Sequence, residues 1–241
     1  MRRSLAVALV LLAAPALAHA GGYNIAWGQS CWPDNPVSAK TFACNSNIGH
    51  DLITLSFVPD GTRLDFGCVE LTLEFNAGAA TLPAWWQFFN TGACRQNALA
   101  ASANFTPFIS SCADPWGGQA ANGIFSYKTQ ANDATVPADA GRVTAFAVLP
   151  IGVEVDAGVE YDALFFSISH VKTIGTGACA GCTTPMAVAV RNFQYGSTSG
   201  PDHTLTSAIN NTCLTWQGAV SPCAPVPAHN LSWGRIKSLY R

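Results

Sequence analysis

The most chemically suggestive spacing in the chain is Cys179-Ala-Gly-Cys182, two thiols three positions apart. Such a pair is redox-active when it opens a helix, because the helix N-terminus lowers the thiol pKa. Here Thr183 to Val190 reads as a strand, so that support is missing. A zinc site needs a second ligand pair, and His50, His170, His203 and His229 are scattered. The pair is expected to be structural. All nine cysteines (Cys31, Cys44, Cys68, Cys94, Cys112, Cys179, Cys182, Cys213 and Cys223) follow residue 20. In a secreted chain they read as a disulfide framework with one thiol left over. Spacing alone does not fix connectivity. The expectation is four local loops, Cys31–Cys44, Cys94–Cys112, Cys179–Cys182 and Cys213–Cys223, with Cys68 free.

Carboxylates are the next chemical feature. Glu154, Asp156, Glu160 and Asp162 fall close together, and hard oxygen ligands at that density suit Ca²⁺. The spacing is not that of an EF-hand loop, and the competing reading is a solvated turn. No other cofactor is indicated. Glu70 and Glu74 share a strand face, but their Cα atoms stand about 13 Å apart. A glycosidase pair needs about 5–9.5 Å, which leaning side chains reach only at its upper end. The chain has no G-x-S-x-G, no H-E-x-x-H and no phosphate loop. His170 and His203 each lie near Ser or Asp, which does not by itself make a triad. Asn104-Phe-Thr, Asn210-Asn-Thr and Asn230-Leu-Ser match the glycosylation sequon.

Aromatic residues crowd Pro83-Ala-Trp-Trp-Gln-Phe-Phe89. If this run is extended, Trp85, Gln87 and Phe89 share one face, and Trp86 and Phe88 the other. Exposed coplanar rings stack on sugar faces. Trp85, Trp86 and Gln87, with Trp116 from Pro115-Trp-Gly-Gly118, are therefore the candidate ligand-binding residues. The competing reading makes both tryptophans of the run core plugs.

The elements that must position these groups are short. Ile53, Leu55 and Phe57 alternate with Thr54 and Ser56, predicting a strand over 52–58. Val69, Leu71, Leu73 and Phe75 alternate with Cys68, Glu70, Thr72 and Glu74, predicting another over 67–75. Further strands are expected over 124–128, 142–150, 159–171, 186–195 and 213–217, with an edge strand in 21–49. The run 159–171 is apolar on both faces, as a central strand is. Alanine-rich 99–103 reads as a helical turn. Gly-, Pro- and Asn-rich turns separate the strands. The expected fold is an all-β antiparallel sandwich, jelly-roll-like and disulfide-stapled, a single domain over 21–223.

Composition bounds the function classes. Hydrophobic residues make up 49% and charged residues 11%, with a net charge of −2. Low charge with high hydrophobicity argues against disorder, and with no basic stripe no nucleic acid is expected as a partner. Residues 1–20 read as a signal peptide: Arg2 and Arg3, an apolar core from Leu5 to Ala14, and Ala18-His19-Ala20 as the cleavage site. No later run is long enough to span a bilayer as a helix. Residues 224–241 form a Pro-rich spacer and an aromatic-basic tail. Trp233, Ile236 and Tyr240 fall on one side of a helical tail, and Gly234, Lys237 and Arg241 belong to the same segment, laid out as a sorting or attachment handle. The competing reading is a terminal element docked on the sandwich.

The runs TLPAWWQF…TGACR, SCADPWGGQA, TGACAGC and the ending WGRIKSLYR together resemble a group of uncharacterised, predicted secreted bacterial proteins. The resemblance spans most of the chain after residue 20. It implies export and carries no activity or functional residue. The ending also resembles C-termini of otherwise different exported proteins. The function expected is therefore a secreted or cell-surface, non-enzymatic structural or adhesive component, with glycans or cell-envelope components as partners. A carbohydrate-binding module on the aromatic platform is the alternative, and an extracellular hydrolase the second.

Overall fold

The computed structural model describes residues 21–89, 92–108 and 110–219. The expected signal peptide, Cys223 and the tail residues Trp233 to Arg241 lie outside them. The alternating segments become strands: β1 (Gly22–Trp27), β2 (Ala39–Lys40), β3 (His50–Val58), β4 (Arg63–Asn76), β5 (Leu99–Ser102), β6 (Ala121–Thr129), β7 (Ala140–Val155), β8 (Tyr161–Ser169), β9 (Met186–Ser197), β10 (Gly200–Thr204) and β11 (Cys213–Trp216). The described residues contain no α-helix, only 3-10 turns at Trp32–Asp34 and Ala84–Trp86. The protein is all-β.

A four-stranded sheet runs β1-β3-β8-β5. A seven-stranded sheet runs β2-β11-β9-β4-β7-β6, with β10 paired to β9. Their facing sides share one core. Tyr23 of β1 stacks on Phe193 of β9 at 5.8 Å, and Phe57 of β3 meets Phe66 of β4 at 5.5 Å. Val69, Leu71, Leu73 and Phe75 of β4 are all buried there, as the period-2 pattern requires. Each ring or branched chain removed from water contributes about 1.5–3 kcal/mol. β8 is covered on both faces, as its sequence predicts: Leu164 and Phe166 enter the core, while Phe165 packs under Phe105 and Phe108 on the other side.

Two local expectations fail. Residues 99–102 form β5, paired to β8 from Leu99↔Ile168 to Ser102↔Phe165. Alanine's helix preference is worth only tenths of a kcal/mol per residue over its competitors, and sheet pairing overrides it. Pairing is also not antiparallel throughout, since the two-residue edge strand β2 runs parallel to β11.

The disulfide expectation is corrected more deeply. The bonds are Cys31–Cys112, Cys44–Cys182 and Cys94–Cys179, at sequence separations of 81, 138 and 85. No local pair Cys31–Cys44, Cys94–Cys112 or Cys179–Cys182 forms. The reason is that loop-closure entropy grows only slowly with loop length, so the fold, not sequence proximity, decides which thiols meet. The two members of the CxxC reach different partners. Between them Gly181 sits at φ +105°, where a Cβ would fall 2.3 Å from the Pro83 side chain. Trp85 N–H bonds the Ala180 carbonyl at 2.9 Å, locking this loop to the aromatic turn. Cys213 is also disulfide-bonded; its expected partner, Cys223, lies outside the described residues. Cys68 is a free and buried thiol.

Candidate functional site

The tryptophans come first, because the binding expectation rests on them. Trp85 and Trp86 occupy the 3-10 turn Ala84–Trp86 rather than an extended run. Such a turn advances about 120° per residue, so neighbouring rings need not face opposite ways. Trp85 and Trp86 are each 0% exposed and Trp116 is 1% exposed. Trp85 stacks on Trp216 at 5.5 Å, and Trp86 meets the same ring edge-on at 5.5 Å. Gln87 turns back to donate to the Leu82 carbonyl at 2.8 Å. The three tryptophans of the expected sugar platform, Trp85, Trp86 and Trp116, are therefore core with no ring face left for a ligand, and Gln87 beside them is half-buried.

The carboxylates separate as well. Glu154 and Asp156 are exposed, at the end of β7 and the turn after it. Glu160 and Asp162 instead face a buried polar layer. Strand pairing sets Asn24 opposite Ser56, and Ser56 opposite Asp162, on the side of the four-stranded sheet away from the core. Glu160 Oε1 accepts from Asn24 Nδ2 and Ser56 Oγ, each at 2.6 Å. The four acidic residues thus do not make one calcium cage.

A different constellation forms around Asp162. Loops carrying Ser30 and Ser110 are drawn together over the sheet by Cys31–Cys112. They close a cavity of about 10 Å³ lined by Gly28, Ser30, Thr54, Phe108, Ser110 and Asp162, among others. Asp162 is 1% exposed and Ser30 0%. Ser110 Oγ lies 3.3 Å from Asp162 Oδ1, and Thr54 Oγ1 donates to the Gly28 carbonyl. Asp162 Oδ2 and Ser30 Oγ have no hydrogen-bond partner. Burial pushes the Asp162 carboxyl up to about 7; the Ser110 hydrogen bond works against that, and Asp114, Glu160 and Asp34 add to it. Among the described residues, the one close group of three metal-ligand side chains is Cys31, Cys112 and Asp162. Both sulfurs are consumed in the disulfide, so it is not a thiolate site.

Two His–Asp pairs bear on hydrolysis. His170 is buried, with Nε2 2.9 Å from Asp51 Oδ2 and Nδ1 3.0 Å from the Ile48 carbonyl. Lys40 Nζ adds an ion pair to Asp51 at 2.9 Å, and Phe42 stacks on the imidazole at 4.0 Å. Both ring nitrogens are occupied, so neither can take a proton from a nucleophile. His203 Nδ1 lies 3.3 Å from Asp60, whose carboxylate also accepts from Tyr195 Oη. Burial alone would raise Asp60, but hydrogen bonds from Tyr195 and His203 outweigh it and hold its pKa below the usual carboxylate value. A groove of about 350 Å³ opens beside this pair. Its Thr62 hydroxyl accepts the Ala157 N–H, and its Arg63 reaches Asp202 at 3.0 Å. The charged groups of the groove are spent on each other.

Ser30, Thr54 and Ser110 were not among the residues singled out by sequence. They come from separate segments of ordinary composition, and only the Cys31–Cys112 pairing would have pointed to them. Arg95, buried against Trp85, is signalled in the sequence only as a lone cation beside an aromatic run. Comparison with protein-family models, with curated proteins and with solved structures finds no match.

Proposed function

We propose that this protein is a secreted or cell-surface structural component without enzymatic activity. The observation that carries the reading is the set of three disulfides joining segments 81, 138 and 85 residues apart. Such bonds persist in oxidising compartments and are rare in reducing ones. They tie distant loops to one another over the sandwich. The buried site also favours this reading over the alternatives: the tryptophans stack on one another, and His170 has both nitrogens engaged. Among the described residues no helix is long and apolar enough to cross a membrane. Residues 231–241 would then act as the sorting or attachment handle for envelope components.

The test is fractionation of the full chain and of a chain ending at residue 230. The reading predicts that the full chain is recovered outside the cytoplasm with its disulfides formed, and that the truncated chain is redistributed from the envelope to the medium. Full chain found in the cytoplasm with reduced thiols would overturn the reading. Identical fractionation of both chains would remove the handle from it.

A further inference from the structure

We propose that the Asp162 cavity is a cation site, holding one Ca²⁺ ion through oxygen atoms of Gly28, Ser30, Thr54, Ser110 and Asp162. This goes beyond the surface-component reading and does not depend on it. Three features of the cavity lead here.

The first is the donor set. The polar side chains of the wall are Gln29, Ser30, Thr54, Ser110 and Asp162, with no Lys, Arg or His among them. Calcium is bound by carboxylate, hydroxyl, amide and carbonyl oxygens of this kind. The second is unmet bonding capacity. Asp162 Oδ2 and Ser30 Oγ are buried without partners, in residues 1% and 0% exposed. Buried polar atoms are nearly always satisfied, so two orphans in the wall of one small cavity point to something that sits between them. The third is charge and size. Asp162 is the one acid of a cavity wall that holds no basic side chain, so its charge is met either by a proton or by a cation. The cavity measures about 10 Å³, room for a single water-sized particle. A water would satisfy the orphan oxygens and leave Asp162 to take up a proton. A cation answers both. Mg²⁺ usually keeps several of its own waters, and there is no space for them.

Loop geometry explains how such an ion would enter. Cys31–Cys112 ties the Ser30 and Ser110 loops over the sheet and leaves one side of the cavity open to solvent. An ion bound there would fasten both loops to β8 through Asp162.

Trp116 supplies the readout. Its Nε1 donates to the Asp162 carbonyl at 3.0 Å, which puts an indole beside the site. The experiment uses the chain from residue 21 to 241, stripped with EDTA and titrated with Tb³⁺ alone, exciting tryptophan. Saturable sensitised emission is expected, displaced by Ca²⁺, with a matching Ca²⁺-dependent rise in melting temperature. Asp162→Asn and Ser30→Ala should each weaken binding about tenfold or more, and the exposed Asp156→Asn should not. If Asp162→Asn does not fold, Ser30→Ala carries the comparison, since its hydroxyl makes no bond the fold needs. No saturable emission and no Ca²⁺ effect on melting would overturn the proposal. So would Tb³⁺ affinity that both variants leave unchanged, because the ion would then sit elsewhere.

Discussion

The guanidinium of Arg95 lies 3.5 Å over the ring of Trp85 while its Nη1 donates to the Trp85 carbonyl at 2.6 Å. The same group donates through Nε to Val171 and through Nη2 to Ser169. Arg95 is 1% exposed. Burial pulls its pKa down, and three carbonyls with an aromatic face offset that cost. One side chain thus fastens the Trp85 turn to the end of β8, beside the Cys94–Cys179 bond. Arg95→Met keeps most of the volume and orphans those carbonyls at about 1–3 kcal/mol each. Urea unfolding should show a loss of about 3 kcal/mol or more, and Arg95→Lys should recover only part of it. A Met variant as stable as the parent would contradict this role.

Cys68 gives the prediction in pH. Burial raises its pKa from 9.0 to about 12, helped by Asp202 and Glu70. The native protein should therefore resist thiol reagents at pH 8 and release one reactive thiol on unfolding. The linkage runs in a defined direction. The folded value lies above the unfolded one, so the contribution is fully present below pH 9 and is lost as pH rises toward about 12. Stability should fall across that window, and Cys68→Ala should remove that part of the slope. Rapid native labelling at pH 8 would show that the thiol is not where the fold puts it.

Glu74 is 1% exposed on the outer side of the seven-stranded sheet, held by Arg142 Nη2 at 2.7 Å and by Arg191. Removing it leaves two guanidinium groups facing each other without a counter-charge. Glu74→Ala should cost about 3–5 kcal/mol in denaturant unfolding. The exposed Glu154→Ala should stay within about 0.5 kcal/mol of the parent. Equal effects at both positions would mean that the two arginines find other partners.

The long-range disulfides should differ from local ones in what their loss does. Cys44→Ala with Cys182→Ala should lower stability by about 2–5 kcal/mol. It should also free the segment around Phe42, which stacks on His170 and meets Trp216 at a tilt. Hydrogen exchange should then quicken at 42–49 and 179–184 and stay slow in β4. Unchanged exchange in those loops would argue that the bond is dispensable to their packing.

The strands were legible because their information is local. Ile53, Leu55 and Phe57 announce their face by alternation alone, and so do Val69, Leu71, Leu73 and Phe75. The apolar run of β8 was readable as a central strand for the same reason. The site was not legible, because its determinants are non-local. Whether Trp85 faces outward depends on Trp216, 131 positions later, and on a turn that no periodicity signals. Asp162 looked like one member of an acidic run until strand pairing set it against Ser56 and away from Glu154. Cysteine spacing misled for a related reason: short loops are entropically cheap to close, but the fold had already brought distant loops together.

The disulfide framework is tested most directly by a non-reducing peptide map of the protein recovered from the extracytoplasmic fraction of its own host. The expected result is cross-linked peptides joining Cys31 to Cys112, Cys44 to Cys182 and Cys94 to Cys179, with Cys68 alkylated only after unfolding. Reduced cysteines in that material, or a Cys179–Cys182 bond within one peptide, would contradict it.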